Sequence, residues 1–216
     1  FRRTFPQNLR PPITMKNPNT TAILGALVAD SAALGLHWLY DPARIAEIEA
    51  ARGLVFLHPD ADNYAGSKGY FAHGGKSPGD STSYGETCLL MLKHLAKHGK
   101  FNRVGYQTEY RAHFGPGGAF VGYIDSPTRQ TLRTLLSTEP PEFPAASGAD
   151  DDQLPALAVL PALVAAHIGT LDGLLGQIEE AVRVTNNNEL AVAAARCSAA
   201  ALFEVLQGTP IGQALA

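Results

Sequence analysis

The sequence has few cysteines and no long run of basic residues. Cys88 and Cys197, the only two cysteines among 216 residues, lie in apolar segments without zinc or disulfide spacing. We therefore predict two buried thiols in a reducing compartment and a cytoplasmic chain. The formal net charge is −3 and no block of Lys and Arg occurs, so no nucleic-acid partner is predicted.

Long hydrophobic runs are also missing. No stretch reaches the roughly 18 to 20 charge-free apolar residues that span a bilayer, because Asp30 interrupts the nearest one, residues 22–36. No membrane partner is predicted. Residues 1–18 contain Pro and Arg without an apolar core, which predicts a loose N-terminal tail rather than a secretory signal. The rest, residues 19–216, is long enough for one domain with a sizeable core.

Helical periodicity dominates the chain, and no segment alternates as a strand does, so we predict an all-α fold: a compact helical bundle with a central polar cleft. Residues 22–36 are small and apolar on every face, which predicts a central helix packed on all sides. Other helices are predicted at residues 42–51, 83–98, 102–113, 126–137, 150–168 with a kink or restart at Pro161, 171–184 and 189–207.

Three acidic segments accompany these helices, at residues 28–31, 79–87 and 150–153. Asp30 lies within an apolar helix, where a carboxylate needs a cation, an Arg or several donors. Asp80, Thr82 and Glu86 offer the oxygen ligands that Mg²⁺ and Ca²⁺ prefer. The alternative for residues 83–86 is a capping box with no further role.

The third acidic segment, the His37–Trp38 pair and the two histidines at 94 and 98 have structural and functional interpretations. Residues 150–152 are three aspartates at a predicted helix start, where mutual repulsion indicates a cation for at least one of them. His37 and Trp38 end the first helix and would either contact a ligand ring or pack the helix terminus. His94 and His98 are four residues apart, but the neighbouring lysines indicate a surface position.

These segments resemble motifs of the ADP-ribosylglycohydrolase family and, within it, of the J-type crystallin-like branch. Residues 25–31 are similar to the opening helix motif, and residues 79–87 to the Thr-Asp-Asp-Thr metal motif. Residues 150–162 and 184–187 are similar to the third motif and the Thr-His element. The resemblance covers residues 19–208.

The resemblance implies an all-α fold whose central cleft holds two Mg²⁺ ions, and hydrolysis of the bond that joins ADP-ribose to a protein or small molecule. The chain departs from that pattern. Tyr84, Gly85 and Glu86 align with Thr-Asp-Asp, so one carboxylate remains. His37 aligns with an acidic residue near the substrate, and the C-terminal Asp-x-Asp motif is absent.

Site roles follow from the resemblance and the residue chemistry, with one or two Mg²⁺ ions as cofactor. The catalytic candidates are Asp151 and Glu86; the metal ligands are Asp30, Asp80, Thr82 and Glu86; the substrate contacts are His37, Asp152 and Asn186.

Three hypotheses remain open at this stage. The chain is a metal-assisted hydrolase acting on an ADP-ribosylated protein or a small ADP-ribose derivative; or a catalytically inactive crystallin-like structural or ADP-ribose/nucleotide-binding protein; or a C-terminally truncated piece of a longer enzyme. Convergence of Asp30, Asp80, Glu86 and Asp151 on one concave site would favour chemistry, and dispersal would favour a scaffold.

Overall fold

The computed structural model describes residues 17–216, so the predicted tail lies almost wholly outside the described residues. Within them the chain forms nine α-helices and three short 3₁₀ segments, and the all-α prediction is confirmed. The α-helices are α1 (Pro18–Ala33), α2 (Pro42–Arg52), α3 (Ser83–His98), α4 (Arg103–Phe114), α5 (Ser126–Leu136), α6 (Leu160–Ala166), α7 (Leu171–Thr185), α8 (Glu189–Leu206) and α9 (Ile211–Ala214). The 3₁₀ segments are Leu34–Leu36, Ala61–Asn63 and Pro155–Val159.

The core lies between α3, α6, α7 and α8. Three alanines on one face of α8, Ala191, Ala195 and Ala199, are fully buried, so the backbone of α8 can approach its neighbours closely. Ile178 and Val182 of α7 are equally buried in the same cluster. Burial of each such aliphatic side chain stabilises the fold by about 1.5–3 kcal/mol.

The start of α3 differs from the predicted capping box. Thr82 caps the helix by accepting a hydrogen bond from the Tyr84 backbone N–H, so the cap lies one residue before Ser83. Glu86 contacts His113 from α4 instead of returning to the helix start. Gly99 closes the other end of α3 in the left-handed conformation, with φ of 73°.

Helix α1 is not the fully packed central helix that its composition predicts. None of its residues is buried, and Leu24 and Val28 are about half exposed. The prediction was wrong because a helix that is small and apolar all round has no periodicity to show which face packs. Residues Pro18–Leu36 are long and apolar enough to cross a membrane by length and composition, but here one face of α1 packs against α3 and α6.

Two smaller predictions are also corrected. Residues 150–154 are not helical, because the helical segment begins only at Pro155, and a proline disfavours helix in the residue before it. The acidic triplet therefore lies in a loop rather than at a helix start. Cys88 is buried, as predicted, but Cys197 is exposed on α8.

Candidate functional site

A small cavity opens where α1 meets the N-terminus of α3. Its volume is about 100 Å³, several times the roughly 10–15 Å³ that one water needs. The surface that it exposes is almost wholly apolar, although four residues with polar groups border it: Asp30 on α1, His37 just after the following 3₁₀ turn, and Thr82 and Tyr84 at the start of α3. Ala33 and Leu34 complete the wall.

Asp30 is fixed by the first turn of α3. The Thr82 backbone N–H donates to Oδ2 at 2.8 Å, and the Thr82 hydroxyl donates to Oδ1 at 2.5 Å. A negative charge at this position is also favoured by the positive end of the helix dipole. Gly85 makes the approach possible, since a Cβ there would lie 2.3 Å from Asp30 Oδ2.

A histidine pair borders the cavity. His37 Nδ1 lies 2.7 Å from His73 Nε2, and the two rings stack with centroids 4.9 Å apart. Burial, followed by the charge of His73, lowers the pKa of His37 to about 4, although the Asp125 carboxylate opposes this. Burial also lowers the pKa of His73. Both rings are therefore neutral at pH 7, and one donates a hydrogen bond to the other.

Asp125 lies near His37 and Tyr84 and is not among the site residues predicted from the sequence. Its Oδ1 caps α5 through the Thr128 backbone N–H at 2.8 Å, whereas its buried Oδ2 has no partner of hydrogen-bond geometry among residues 17–216. Burial, then the charge of the Asp125 carboxylate and a hydrogen-bond-type contact with it, raise the pKa of Tyr84; the Tyr84 hydroxyl is therefore close to Asp125, although no bond of full hydrogen-bond geometry joins them. The only sequence signal was an aspartate before Ser126 and Pro127, which indicates a helix cap and nothing more.

Two of the predicted metal ligands lie outside this cavity. Asp80 is exposed and accepts a hydrogen bond from the Ser77 backbone N–H at 2.8 Å, closing its own turn. Glu86 Oε2 lies 3.1 Å from His113 Nε2. Asp30 and Thr82 thus come together, while Asp80 and Glu86 have separate partners.

The remaining predicted residues lie on the other side of Tyr84. Asp151 accepts from the Gln153 backbone N–H at 2.9 Å. Asn186 is fully buried and donates from Nδ2 to the backbone oxygens of Asp151 and Gln153. Asp152 is exposed beside an open depression. Tyr84 lines the Asp30 cavity and also a small enclosed space that Asn186 borders, so its ring separates the two groups.

His94, His98 and Glu109 form the one group of three or more His, Cys, Asp or Glu residues with metal-ligand spacing within residues 17–216. His94 was predicted at the surface but is fully buried. Its Nε2 accepts the Asn102 backbone N–H at 3.0 Å, so Nδ1 carries the proton and donates to Glu109 Oε2 at 2.7 Å. Lys97 also binds Glu109, at 2.8 Å. Because no ring nitrogen of His94 is free, this group is already satisfied without an ion.

The described residues do not fit the Mg²⁺ site that the resemblance implies. Mg²⁺ requires near-octahedral oxygen coordination at about 2.0–2.1 Å. Asp30 is the only carboxylate residue lining the cavity among residues 17–216, and both of its oxygens already accept hydrogen bonds from Thr82. Asp80 and Glu86 would have to leave their present partners before either could join it.

The fold and the site define a class: an all-helical domain with a small cavity where an aspartate of the first helix meets the N-terminus of a later helix. A sequence model of the ADP-ribosylglycohydrolase family matches residues 16–216. The chain belongs to the ADP-ribosylglycohydrolase family.

Two curated relatives of the chain are crystallins. Crystallin J1A of Tripedalia cystophora is 30% identical over 198 residues, which is 84% of this chain and 56% of that protein. Crystallin J1B of the same animal is 30% identical over 199 residues, with the same coverage. The chain thus spans a little over half the length of these curated relatives. A solved chain described as an ADP-ribosylglycohydrolase-related protein complex has the same fold, with a TM-score of 0.64, 21% identity, and coverage of 93% of this chain and 59% of the other.

Proposed function

We propose that this chain is a crystallin-like member of the family that binds ADP-ribose without hydrolysing it, with only a ribose of the ligand in the Asp30 cavity of about 100 Å³. One observation carries the proposal. Of the four carboxylates expected to converge, only Asp30 lines the cavity, while Asp80, Glu86 and Asp151 each have a different partner. A small cavity persists beside Asp30, but the set of acids that would drive chemistry is dispersed.

The cavity offers suitable chemistry for a ribose. The Asp30 carboxylate accepts hydrogen bonds from hydroxyl groups, and the neutral His37 ring can donate or accept one. Tyr84 adds a protonated phenol, since its pKa is raised. Sugars are held by such convergent donors and acceptors on an otherwise apolar wall, which Ala33 and Leu34 provide here.

Metal-assisted hydrolysis is the second candidate, and Asp125 is the observation that favours it. A buried carboxylate oxygen without a partner is costly, and such groups are retained at functional sites more often than elsewhere. In this hypothesis Asp80 and Glu86 turn to join Asp30 and Thr82 at Mg²⁺, Asp151 and Glu86 are catalytic, and His37, Asp152 and Asn186 contact the substrate. The substrate would be an ADP-ribosylated protein or a small ADP-ribose derivative in the cytoplasm.

Calorimetric titration of ADP-ribose into the chain, with and without Mg²⁺, tests the proposal. We expect saturable binding of similar affinity in both conditions, and no release of ADP-ribose from an ADP-ribosylated protein under the same conditions. Asp30→Asn should weaken binding about tenfold or more, since it removes a charged acceptor. Asp80→Asn is the matched control, because that carboxylate is exposed and closes only its own turn.

The outcomes separate the two candidates. Release of ADP-ribose that requires Mg²⁺ and is lost in both aspartate variants would establish hydrolysis and overturn the non-hydrolytic assignment. Absence of binding by a chain with its helical circular dichroism intact would contradict both candidates. Binding that Asp30→Asn leaves unchanged would show that the ligand occupies another part of the molecule.

A further inference from the structure

An apolar groove lies at the C-terminal end of α3, the opposite end of that helix from the Asp30 cavity. Its volume is about 340 Å³, more than twice the roughly 150 Å³ of an apolar cavity that holds benzene. The buried side chains of Phe101 and Leu163 form its floor. The walls come from the last turns of α3 and from Gln177 of α7, and the link between α6 and α7 forms the rim. The groove has room for an apolar side chain, which no residue in the described range 17–216 supplies.

Ile168 stands at the edge of this groove. It contributes to the lining, yet it is 97% exposed, more than any other large hydrophobic residue of the range 17–216. Single apolar residues on a protein surface are common and need no explanation. An isoleucine that projects into solvent beside an unfilled apolar groove is different, because one surface then presents both parts of a hydrophobic contact.

The backbone holds Ile168 in this projecting position. On one side, the His167 backbone N–H donates to the Val164 carbonyl at 3.3 Å. On the other, the His167 ring nitrogen Nε2 lies 3.0 Å from the Thr170 carbonyl, and it must carry the proton because a carbonyl only accepts. Thr170 in turn caps α7 through the Gly173 backbone N–H at 3.3 Å. Because the link is fixed on both sides, little freedom is lost when Ile168 contacts an apolar surface.

Two exposed charges of opposite sign accompany the groove and Ile168. Lys100, which follows α3, lines the groove. Asp172, in the first turn of α7, comes four residues after Ile168. Neither Lys100 nor Asp172 forms an ion pair with another residue of the range 17–216. A surface that receives Ile168 also meets Asp172, so it needs a basic group beside an apolar groove. The groove of this same chain has that group in Lys100.

We propose that this face joins two copies of the chain, with Ile168 of each copy in the groove of the other and Asp172 of each beside Lys100 of the other. A projection and a groove on one surface give an isologous contact, in which each copy supplies both parts and the pair is closed. The inference is independent of the proposed function, since it uses none of the residues around the Asp30 cavity.

The contact is small, which sets its expected strength. The groove and its rim involve fewer residues than the roughly 20–30 on each side of a standard interface, and one aliphatic side chain per copy is at the centre. We therefore expect a weak dimer, with a dissociation constant of about 10–100 µM, rather than an obligate one. The single copy keeps its fold without the contact, because its core is buried within one chain.

Sedimentation equilibrium of the whole chain, from about 1 µM to 1 mM, tests the proposal. We expect a reversible equilibrium between monomer and dimer. Ile168→Ser should weaken dimerisation about 30-fold, as loss of a central interface side chain does. Val121→Ser is the matched control, because Val121 is 82% exposed but does not line the groove, and it should leave dimerisation unchanged. Far-ultraviolet circular dichroism confirms that each variant is folded.

Exchange of the two charges gives a second test. Lys100→Glu and Asp172→Lys each bring like charges together twice in the pair, so each should weaken dimerisation about tenfold. A protein with both substitutions has opposite charges again and should dimerise as the wild type does. A local structural effect of one substitution would not be reversed by the other, so this rescue reports on the contact itself.

The outcomes are distinct. A dimer that weakens in Ile168→Ser, persists in Val121→Ser and is rescued by the charge exchange establishes the contact. A dimer that Ile168→Ser leaves intact uses another face and overturns the proposal. A chain that is still a monomer at about 1 mM also overturns it, and NMR contacts between Ile168 and residues 1–16 in that monomer would identify those residues as the occupant of the groove instead.

Discussion

The two ends of helix α3 carry polar clusters of opposite character. At the C-terminal end, His94, Glu109 and Asn102 satisfy one another, and both nitrogens of the buried imidazole are used. At the N-terminal end, the cavity of Asp30 and Tyr84 lies near Asp125, which keeps a buried oxygen without a partner among residues 17–216. The hydroxyl of Tyr106, whose ring lies 5.5 Å from that of His94, also has no partner among residues 17–216, so the difference between the two ends is an unpartnered carboxylate oxygen rather than unmet hydrogen bonding in general.

Electrostatics reinforces the contrast. Burial alone would raise the pKa of Glu109, but hydrogen bonds from Lys97, His98 and His94 outweigh it and lower that pKa to about 2. Burial lowers the pKa of His94, so its ring stays neutral against an ionised carboxylate. The C-terminal cluster thus stabilises the fold at neutral pH. At the other end the pKa of His37 is lowered by burial, and its ring hydrogen-bonds to His73 rather than to a carboxylate.

Removal of His94 should have the largest effect. His94→Ala leaves a cavity in the core, removes one of the hydrogen-bond donors to Glu109 and removes the acceptor for the Asn102 N–H. We therefore expect a loss of about 3 kcal/mol in the free energy of unfolding. Urea denaturation followed by circular dichroism measures it. His98→Ala, which removes a more exposed ring from the same carboxylate, should cost less than about 1 kcal/mol. Equal costs would mean that the cluster is not built around His94.

Acidification should destabilise the fold through its buried histidines, because burial lowers the pKa of His37 and His73 at one end of α3 and of His94 at the other. The pKa of His37 is about 4 in the fold against 6.5 for the free side chain, so the unfolded chain binds the extra proton between these values. Stability should therefore fall as the pH drops from 6.5 to 4, by about 2 kcal/mol after allowance for the partly exposed ring.

Denaturation of wild type and His37→Gln at pH 6.5 and 4.5 checks this. The variant should lose less stability over the interval, because one of the groups that takes up a proton on unfolding is gone. Glu109 makes its own contribution only at lower pH, since its stabilisation is lost as the pH falls from about 4.5 towards 2. Parallel pH profiles for the two proteins would rule out His37 as the titrating group.

A methyl group at Gly85 should disrupt the Asp30 contact. In Gly85→Ala the new Cβ would meet Asp30 Oδ2 at 2.3 Å, so the two hydrogen bonds to Thr82 must lengthen or break. Alanine gains roughly 1 kcal/mol in helix propensity, but the lost charge-assisted bonds outweigh it, giving a net loss of about 1–2 kcal/mol. Gly176→Ala on α7 meets no atom within 4 Å and should instead stabilise the chain. A stabilised Gly85→Ala would show that Asp30 is free to move away.

The sequence predicted the helices better than the contacts between them. Caps and glycines mark helix ends locally, so α2, α3, α5 and α7 were placed within a residue or two. The Asp30–Thr82 contact joins residues 52 apart in the chain. The sequence linked these two residues only as candidate ligands of the same metal site. Asp125 lies in the loop before α5, and no sequence periodicity shows which residues such a loop brings close to it. His94 was misplaced because the exposed lysines beside it dominate the local pattern.

The smallest expected effect is the most direct test of the difference between the two ends of α3. Asp125→Asn keeps an oxygen to cap α5, and asparagine caps as well as aspartate does. It also replaces the unpartnered carboxylate oxygen with an amide N–H₂ beside the Tyr84 hydroxyl. We expect a gain of up to about 1 kcal/mol in stability at pH 7, because a buried charge is removed, and a further fall in the pKa of His37, which the Asp125 carboxylate now raises.

Thermal denaturation and a histidine NMR titration measure the two effects, and Asp125→Ala, which should cost about 1 kcal/mol through loss of the cap, is the control. A more stable Asp125→Asn protein that binds ADP-ribose less well would show that the carboxylate is kept for the ligand at the expense of the fold. If the variant is instead destabilised as much as the alanine control, the carboxylate already has a favourable role in the unliganded fold. The N-terminal end of α3 would then be as satisfied as the C-terminal end, and an unpartnered carboxylate oxygen would no longer distinguish them.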